Sequence, residues 1–490
     1  MAVCNLMGDK PTPGLVRGRS LPVYLRAAIP ALLFSVLVVA GAPRMDVAEA
    51  TSAAESMPFA AAKPVLDKMA SALPAPLQNA HPLDANAWNG WVRSEDAEIR
   101  KRLERGEEDT LTNLLRFGVT YTKEYRIDRE YLSRYGQSTL VNAFAENRAN
   151  DLIRALRSAS ANPGMKEMRA FLQRKGFSFN TPAERARVKK YLLDNLARMR
   201  DEFQAYREKI KTASPAELSE LYAGRGISLD TNLWPDYDLD QELERLIHTG
   251  VLRPGSIHRV AVVGPGLDST NKEAGNDYYP PQTTQPFALV DSLLRLKVAE
   301  ASSIRLYTLD ISPLVNIHVQ RIHRAALAGE PYTVQLTWDT TVPRTADYLA
   351  GFERYVQGWG GQIGTAVPPI PPPAATAAEL KVRAVKIRPD IVARVSPIDM
   401  NIVLQRVSVP QDQRFDLIIG TNVFVYYGPF EQSLARANLA AMLKPGGLVL
   451  TNEMLADAVP SKLPELTRTN TVISADPLIT QTIFCYRREP

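Results

Sequence analysis

The stretch RVAVVGPGLDST, residues 259–270, constrains the fold of this chain more than any other. Val260, Ala261, Val262 and Val263 follow one another without polar alternation, as a parallel strand covered on both faces requires. Gly264 and Gly266 then permit a sharp turn and a close backbone approach to a ligand that a Cβ would exclude. Pro265 stiffens the turn between them. A strand entering such a turn belongs at the carboxyl edge of a doubly wound sheet, where ligands of these folds bind.

The texture of the sequence agrees from residue 257 onward, where strand-like and helix-like segments alternate. Strands are expected at 259–263, 304–309, 332–337, 415–420, 447–452 and 481–487, with helices at 286–297, 314–328 and 430–443. The fold class is therefore α/β, with a doubly wound, mostly parallel Rossmann-like sheet over 257–490. Residues 340–411 interrupt the series as an insertion with an aromatic helix face (Tyr348, Phe352, Tyr355, Trp359) and the proline tract VPPIPPP. Residues 91–250 read as an all-α domain instead, with helices at 95–117 and 238–248 that stop before Gly118 and Gly250. Its clearest helix opens at Thr181-Pro182-Ala183-Glu184, a capping box with proline in the first turn. A second opens at Ser214-Pro215-Ala216-Glu217. Residues 51–90, rich in Ala, Pro and Ser, are expected to form a loose linker.

The first fifty residues stand apart. Basic residues Lys10, Arg17, Arg19 and Arg26 precede the apolar run 27–42, and an Ala-x-Ala pattern follows at 48–50. This reads as a signal peptide or a retained membrane anchor, so the protein is expected to be exported or membrane-associated through 27–42. If the leader is not used, the chain stays cytoplasmic. The net charge of +5 comes from 58 basic against 53 acidic residues, which argues against an extended nucleic-acid surface. With only Cys4 and Cys485, no disulfide framework or cysteine zinc site can form, and no metal site is expected. His318 and His323, five apart, do not share a helix face and read as surface residues.

Four segments converge where such a sheet would bring them together. They are the Gly264–Gly266 turn, Asp310 at the end of IRLYTLD with Ile311 after it, Thr421-Asn422 at the end of FDLIIG, and the turn in MLKPGGLVLTNE. A carboxylate in the place of Asp310 can accept both ribose hydroxyls, and it can also cap the helix that follows. Together these segments resemble the class I S-adenosylmethionine-dependent methyltransferases. FDLIIGTNVFVYY is most similar to the chemoreceptor glutamate methyltransferases, although Thr421 stands where they have arginine. The resemblance covers 257–490 and implies S-adenosyl-L-methionine as cofactor, with Gly264, Pro265, Gly266, Asp310, Ile311 and Asn422 around it. It also implies an acid near the adenine at the end of the third strand, for which Asp339 is the natural choice and Asp399 the competitor. Two departures stand out: Ser269 replaces the third glycine, and about forty residues separate the turn from Asp310 where about twenty is usual. The surplus loop, 268–286, makes Asp268, Asp277, Tyr278 and Tyr279 substrate-side candidates, joined by Tyr426 and Tyr427.

Methyl transfer from a sulfonium needs alignment and exclusion of water more than covalent help. No catalytic residue or methyl acceptor can be named from the sequence. A nicotinamide oxidoreductase would share the turn and the ribose acid but leaves MLKPGGLVL unexplained. A non-catalytic scaffold that retains the sheet would fit the missing glycine and the export signal, since S-adenosylmethionine is made inside cells.

Overall fold

In the computed structural model, the described residues are 54–127, 139–158, 162–209, 212, 217, 225–231, 233–268, 277–339, 344–374, 380–456, 462–475 and 478–490. The leader 1–50, Ser269 and nearly all of the helix expected after Ser214 lie outside them. No helix among the described residues is long and apolar enough to cross a membrane.

The amino-terminal part forms strand β1 (Ala54–Ser56) and helices α1 (Phe59–Lys68) and α2 (Ala85–Phe117). Helices α3 (Thr139–Arg157), α4 (Pro163–Arg174), α5 (Pro182–Lys209) and α6 (Trp234–His248) follow. Asp84 caps α2 by accepting from the amides of Asn86 and Ala87, at 2.9 and 3.0 Å. The capping box of α5 forms as its sequence implies: the Thr181 amide donates to Glu184, and the Glu184 amide donates to Thr181 Oγ1.

These helices do not share one core. The second half of α2 (Leu111, Leu114, Leu115) packs with α3, α4 and α5 in a helical cluster of its own. The first half of α2 (Trp88, Trp91, Ile99, Leu103) and α6 are buried in the same core as the sheet. The expected loose linker is likewise incorporated. Ala62, Val65 and Leu66 of α1 recur at helical spacing on one buried face, and β1 pairs antiparallel with a strand near residue 406.

The chain then continues through β2 (Arg259–Val263), α7 (Gln285–Arg295), β3 (Arg305–Asp310), α8 (Pro313–Leu327) and β4 (Tyr332–Asp339). Next come α9 (Ala346–Gly358), β5 (Gly364–Val367), β6 (Leu380–Ile387), β7 (Val395–Asp399) and β8 (Gln405–Val407). The series ends with β9 (Phe415–Gly420), α10 (Pro429–Met442), β10 (Leu443–Thr451), β11 (Glu465–Ala475) and β12 (Leu478–Arg487). The main sheet has seven strands in the order β11-β12-β10-β9-β2-β3-β7. All pairings from β10 to β7 are parallel, and β12 runs antiparallel to both of its neighbours. The order reverses between β2 and β9, which opens a crevice at their carboxyl ends.

The expected strand at 332–337 forms, but outside this sheet. β4 belongs to a separate antiparallel sheet of order β4-β6-β5, and β7 takes the place beside β3. The physical reason is visible in YTVQLTWD, whose Val334, Leu336 and Trp338 alternate with polar residues as in a half-buried antiparallel strand. Val395–Asp399 carries Pro397, which suits an edge strand because an edge leaves one side without ladder partners. His318 and His323 are also not surface residues. Both are buried on α8, with His318 Nε2 3.1 Å from Tyr332 Oη and His323 Nδ1 2.8 Å from the Val395 carbonyl.

Candidate functional site

At the crevice lies a cavity of about 490 Å³, within the range of small-molecule and cofactor sites. Its floor comes from the carboxyl ends of the sheet strands: Val263, Gly264 and Gly266 at the end of β2, Leu309 to Ile311 at the end of β3, Met400 after β7, and Thr421 to Val423 after β9. Gly264 and Gly266 both have positive φ, 61° and 67°. A Cβ on Gly264 would stand 2.6 Å from Val423 Cγ2, and one on Gly266 would stand 2.7 Å from the Leu229 carbonyl oxygen. Both positions therefore demand glycine for conformation and for space. Pro265 is buried between them.

Asp310 ends β3 with its carboxyl buried and Oδ1 accepting from the Ser312 amide at 2.7 Å. Burial pushes its pKa up to about 7, and the nearby Asp399 adds to this, while the Ser312 and Gly266 amides and Arg100 oppose it. Asn422 is left-handed, at φ 59°; its backbone amide donates to Asn452 Oδ1 and its Oδ1 accepts from Asn452 Nδ2, so it shapes the turn as well as lining the cavity. Thr421 Oγ1 accepts from Gln285 Nε2 at 2.8 Å, which ties the end of β9 to the start of α7. Beneath this turn, burial raises the Glu453 carboxyl to about 8, although the amides of Phe424, Asn422 and Val423 donate to it.

The expected residues divide between the cavity and its surroundings. Gly264, Gly266, Asp310, Ile311, Asn422, Tyr426 and Tyr427 all line the cavity. Asp277 does not, because its oxygens accept from the Val119 and Thr120 amides and from Thr120 Oγ1, fastening the surplus loop to the end of α2. Asp268, Tyr278 and Tyr279 also stand off the lining. Tyr279 is buried and donates to Asp268 at 2.6 Å, while its hydroxyl lies 3.3 Å from Thr337 Oγ1. Burial pushes Asp268 up to about 7 despite that bond. Asp339 ends β4 opposite Leu380, outside the main sheet, and its side chain is outside the described residues. The acid at the end of the third parallel strand is instead Asp399, in register with Asp310. Its Oδ1 accepts from Arg100 Nη2 at 2.7 Å, and Arg100 Nη1 donates to the Ile311 carbonyl at 3.0 Å.

Sequence reasoning missed the walls. One is the strap formed by residues 227–231, 233 and 234, in which the Leu229 carbonyl accepts from the Leu267 amide at 2.7 Å and the Ser228 amide donates to Tyr426 Oη at 3.3 Å. Another is Thr337, Trp338 and Arg344, delivered by the antiparallel sheet and the start of α9. The third is Leu103 of α2. The alternation in β4 was the one local signal for any of these.

No protein-family model and no curated protein matches the sequence. Among solved structures, the N-methyltransferase NodS from Bradyrhizobium japonicum WM9 is 12% identical, covering 52% of this chain and 96% of its own, with a TM-score of 0.23. A possible exported protein from Bordetella parapertussis is 11% identical, covering 81% and 97%, with a TM-score of 0.24. The CurJ carbon methyltransferase is 10% identical, covering 88% and 99%, with a TM-score of 0.23. Likenesses this slight carry no weight for function, which has to come from this chain's own strand order and cavity.

Proposed function

We propose that this protein is an S-adenosylmethionine-dependent methyltransferase. The observation that carries the reading is the cavity at the sheet's reversal point, floored jointly by the glycine turn and the buried Asp310. Its volume and its mixed apolar and polar lining fit a nucleoside cofactor. When bound, S-adenosylmethionine would supply an activated methyl group on a good leaving group. Asp310 would accept from the ribose hydroxyls, and the Gly264–Gly266 turn would admit the cofactor backbone-close. Tyr426, Tyr427 and Leu103 line one side of the cavity and would help to shield a bound cofactor from water. The lining contains no histidine, lysine or cysteine among the described residues, which suits a reaction driven by alignment.

The nicotinamide alternative is disfavoured by the sheet edge. Where a dinucleotide-binding sheet continues with a sixth parallel strand, antiparallel β12 borders β10. The leader supports export or anchoring of this activity as part of the same proposal, with the methyl acceptor open.

The test is calorimetric titration of the full chain with S-adenosylmethionine and S-adenosylhomocysteine, with Asp310→Ala as the control. Micromolar binding that falls about a hundredfold in the variant is expected. No heat from either ligand with the folded, unaltered chain would leave the non-catalytic scaffold as the better reading.

A further inference from the structure

Three charged side chains line the cavity among the described residues: Asp310, Asp230 and Arg344. Asp310 belongs to the sheet, at the ribose position of the proposed function. The other two come from outside the sheet and have opposite signs.

Asp230 sits on the strap where the strap touches the glycine turn. Its predecessor Leu229 accepts from the Leu267 amide at 2.7 Å, and a Cβ built on Gly266 would stand 2.7 Å from that same carbonyl oxygen. Its successor Thr231 has its Cβ 3.3 Å from the built position at Gly266. Asp230 is thus held between two residues that contact the turn. Its backbone is fixed further by its own amide, which donates to Ser228 Oγ at 3.2 Å.

Arg344 lies with its guanidinium 3.6 Å from the ring centroid of Trp234, which lines the cavity at the far end of the same strap. The charge of Asp238 also acts on this region, since Arg344 and Asp238 interact electrostatically.

A cofactor whose ribose meets Asp310 and whose amino-acid end follows the glycine turn must place an ammonium and a carboxylate near the strap. We infer that the strap and the segment entering α9 together recognise that amino-acid end, with Asp230 of the strap pairing with the α-ammonium and Arg344, stacked on Trp234 of the strap, pairing with the α-carboxylate. The inference rests on the methyltransferase reading. It adds that affinity for the zwitterionic end comes from outside the parallel sheet, through charge-assisted bonds.

Two ligands separate the contributions. S-adenosylhomocysteine carries the amino-acid end, whereas 5′-methylthioadenosine keeps the adenosine and thioether but lacks it. Calorimetric titration of the full chain is expected to show that Asp230→Asn and Arg344→Met each weaken S-adenosylhomocysteine about tenfold or more, while 5′-methylthioadenosine changes by less than about twofold. Retained binding of the truncated ligand also reports that each variant is folded. An unchanged affinity for S-adenosylhomocysteine overturns the inference. So does an equal loss of both ligands, because the residues would then act on the whole cavity and not on one end. If the unaltered chain binds neither ligand, the methyltransferase reading itself fails, and this inference falls with it. Binding of both ligands by the unaltered chain, with no difference in the variants, leaves that reading standing and removes only the assignment of Asp230 and Arg344.

Discussion

The floor and the walls of the cavity are built on different principles. The floor strands β2 and β9 are continuous apolar runs: Val260 to Val263 and Leu417 to Ile419 are almost wholly buried, because both faces of a parallel sheet are covered. The walls are a strap, a helix flank and an antiparallel sheet in which apolar residues are interleaved with polar ones, as in YTVQLTWD of β4. The floor supplies backbone shape and one carboxylate, and the walls supply the remaining charge and both tryptophans. The difference teaches that in this molecule the general ligand platform and the means of selecting a ligand reside in separate parts of the chain.

The sharpest way to break that comparison is to unseat the strap while leaving the sheet alone. Gly106 on α2 packs directly against the backbone of the strap, and a Cβ there would fall within the Ile227 carbonyl. Neither partner is a flexible side-chain end, so the clash has to move backbone. Gly106→Ala is expected to destabilise the protein by about 3 kcal/mol or more, among the largest single-site effects. It should also weaken cofactor binding beyond the loss in stability. Denaturant unfolding read beside ligand titration checks both. A variant as stable as the original would mean that the strap is not held by α2, and the wall would lose its structural basis.

A smaller effect probes the floor. The Asp310 carboxyl has its pKa raised from 3.8 to about 7 by burial. Across that interval the folded protein keeps a proton that the unfolded chain has released, so its contribution to stability is full below about pH 4 and is lost as pH rises through about 7. Asp310→Asn keeps the shape without the titration. Relative to the original it is expected to gain stability as pH rises from about 4 to about 8. Thermal midpoints across this range check the sign. Asp268 and Glu453 are raised in the same direction, so the slope should flatten but not vanish. A slope unchanged in the variant would show that Asp310 does not carry its share of the buried proton.

Much of the floor could be read from the sequence because its signals are local. A run of valines, two glycines two residues apart and an acid at the end of IRLYTLD each report their own surroundings. The walls depend on which distant segments meet, and no local pattern encodes that. Leu229 and Thr231 give no sign that they will meet the glycine turn, and Asp277 gives none that it will accept from the amides just beyond α2. The exchange of β4 for β7 lies between these cases. The alternation in YTVQLTWD was present, but a short strand containing Pro397 is a weak signal beside it. Asp339 was accordingly placed where Asp399 stands.

Arg100 gives the smallest expected effect and the finest test of how separate the two regions are. It reaches from the α2 wall onto the floor, bonding Asp96 at 2.9 Å on its own helix and Asp399 and the Ile311 carbonyl at the ends of β7 and β3. Asp399 is 48% exposed at its side chain, so solvent screens the pair, and its loss should cost less than about 1 kcal/mol. Arg100→Met keeps the apolar stem and removes only the fork. If floor and wall are independent, affinity for 5′-methylthioadenosine should change by less than about threefold. A loss of about tenfold would mean that Arg100 holds the strand ends in their binding shape. A gain of similar size would mean that Arg100 competes with the adenine for Asp399, because the freed carboxylate would become the acceptor that the end of the third strand is expected to offer.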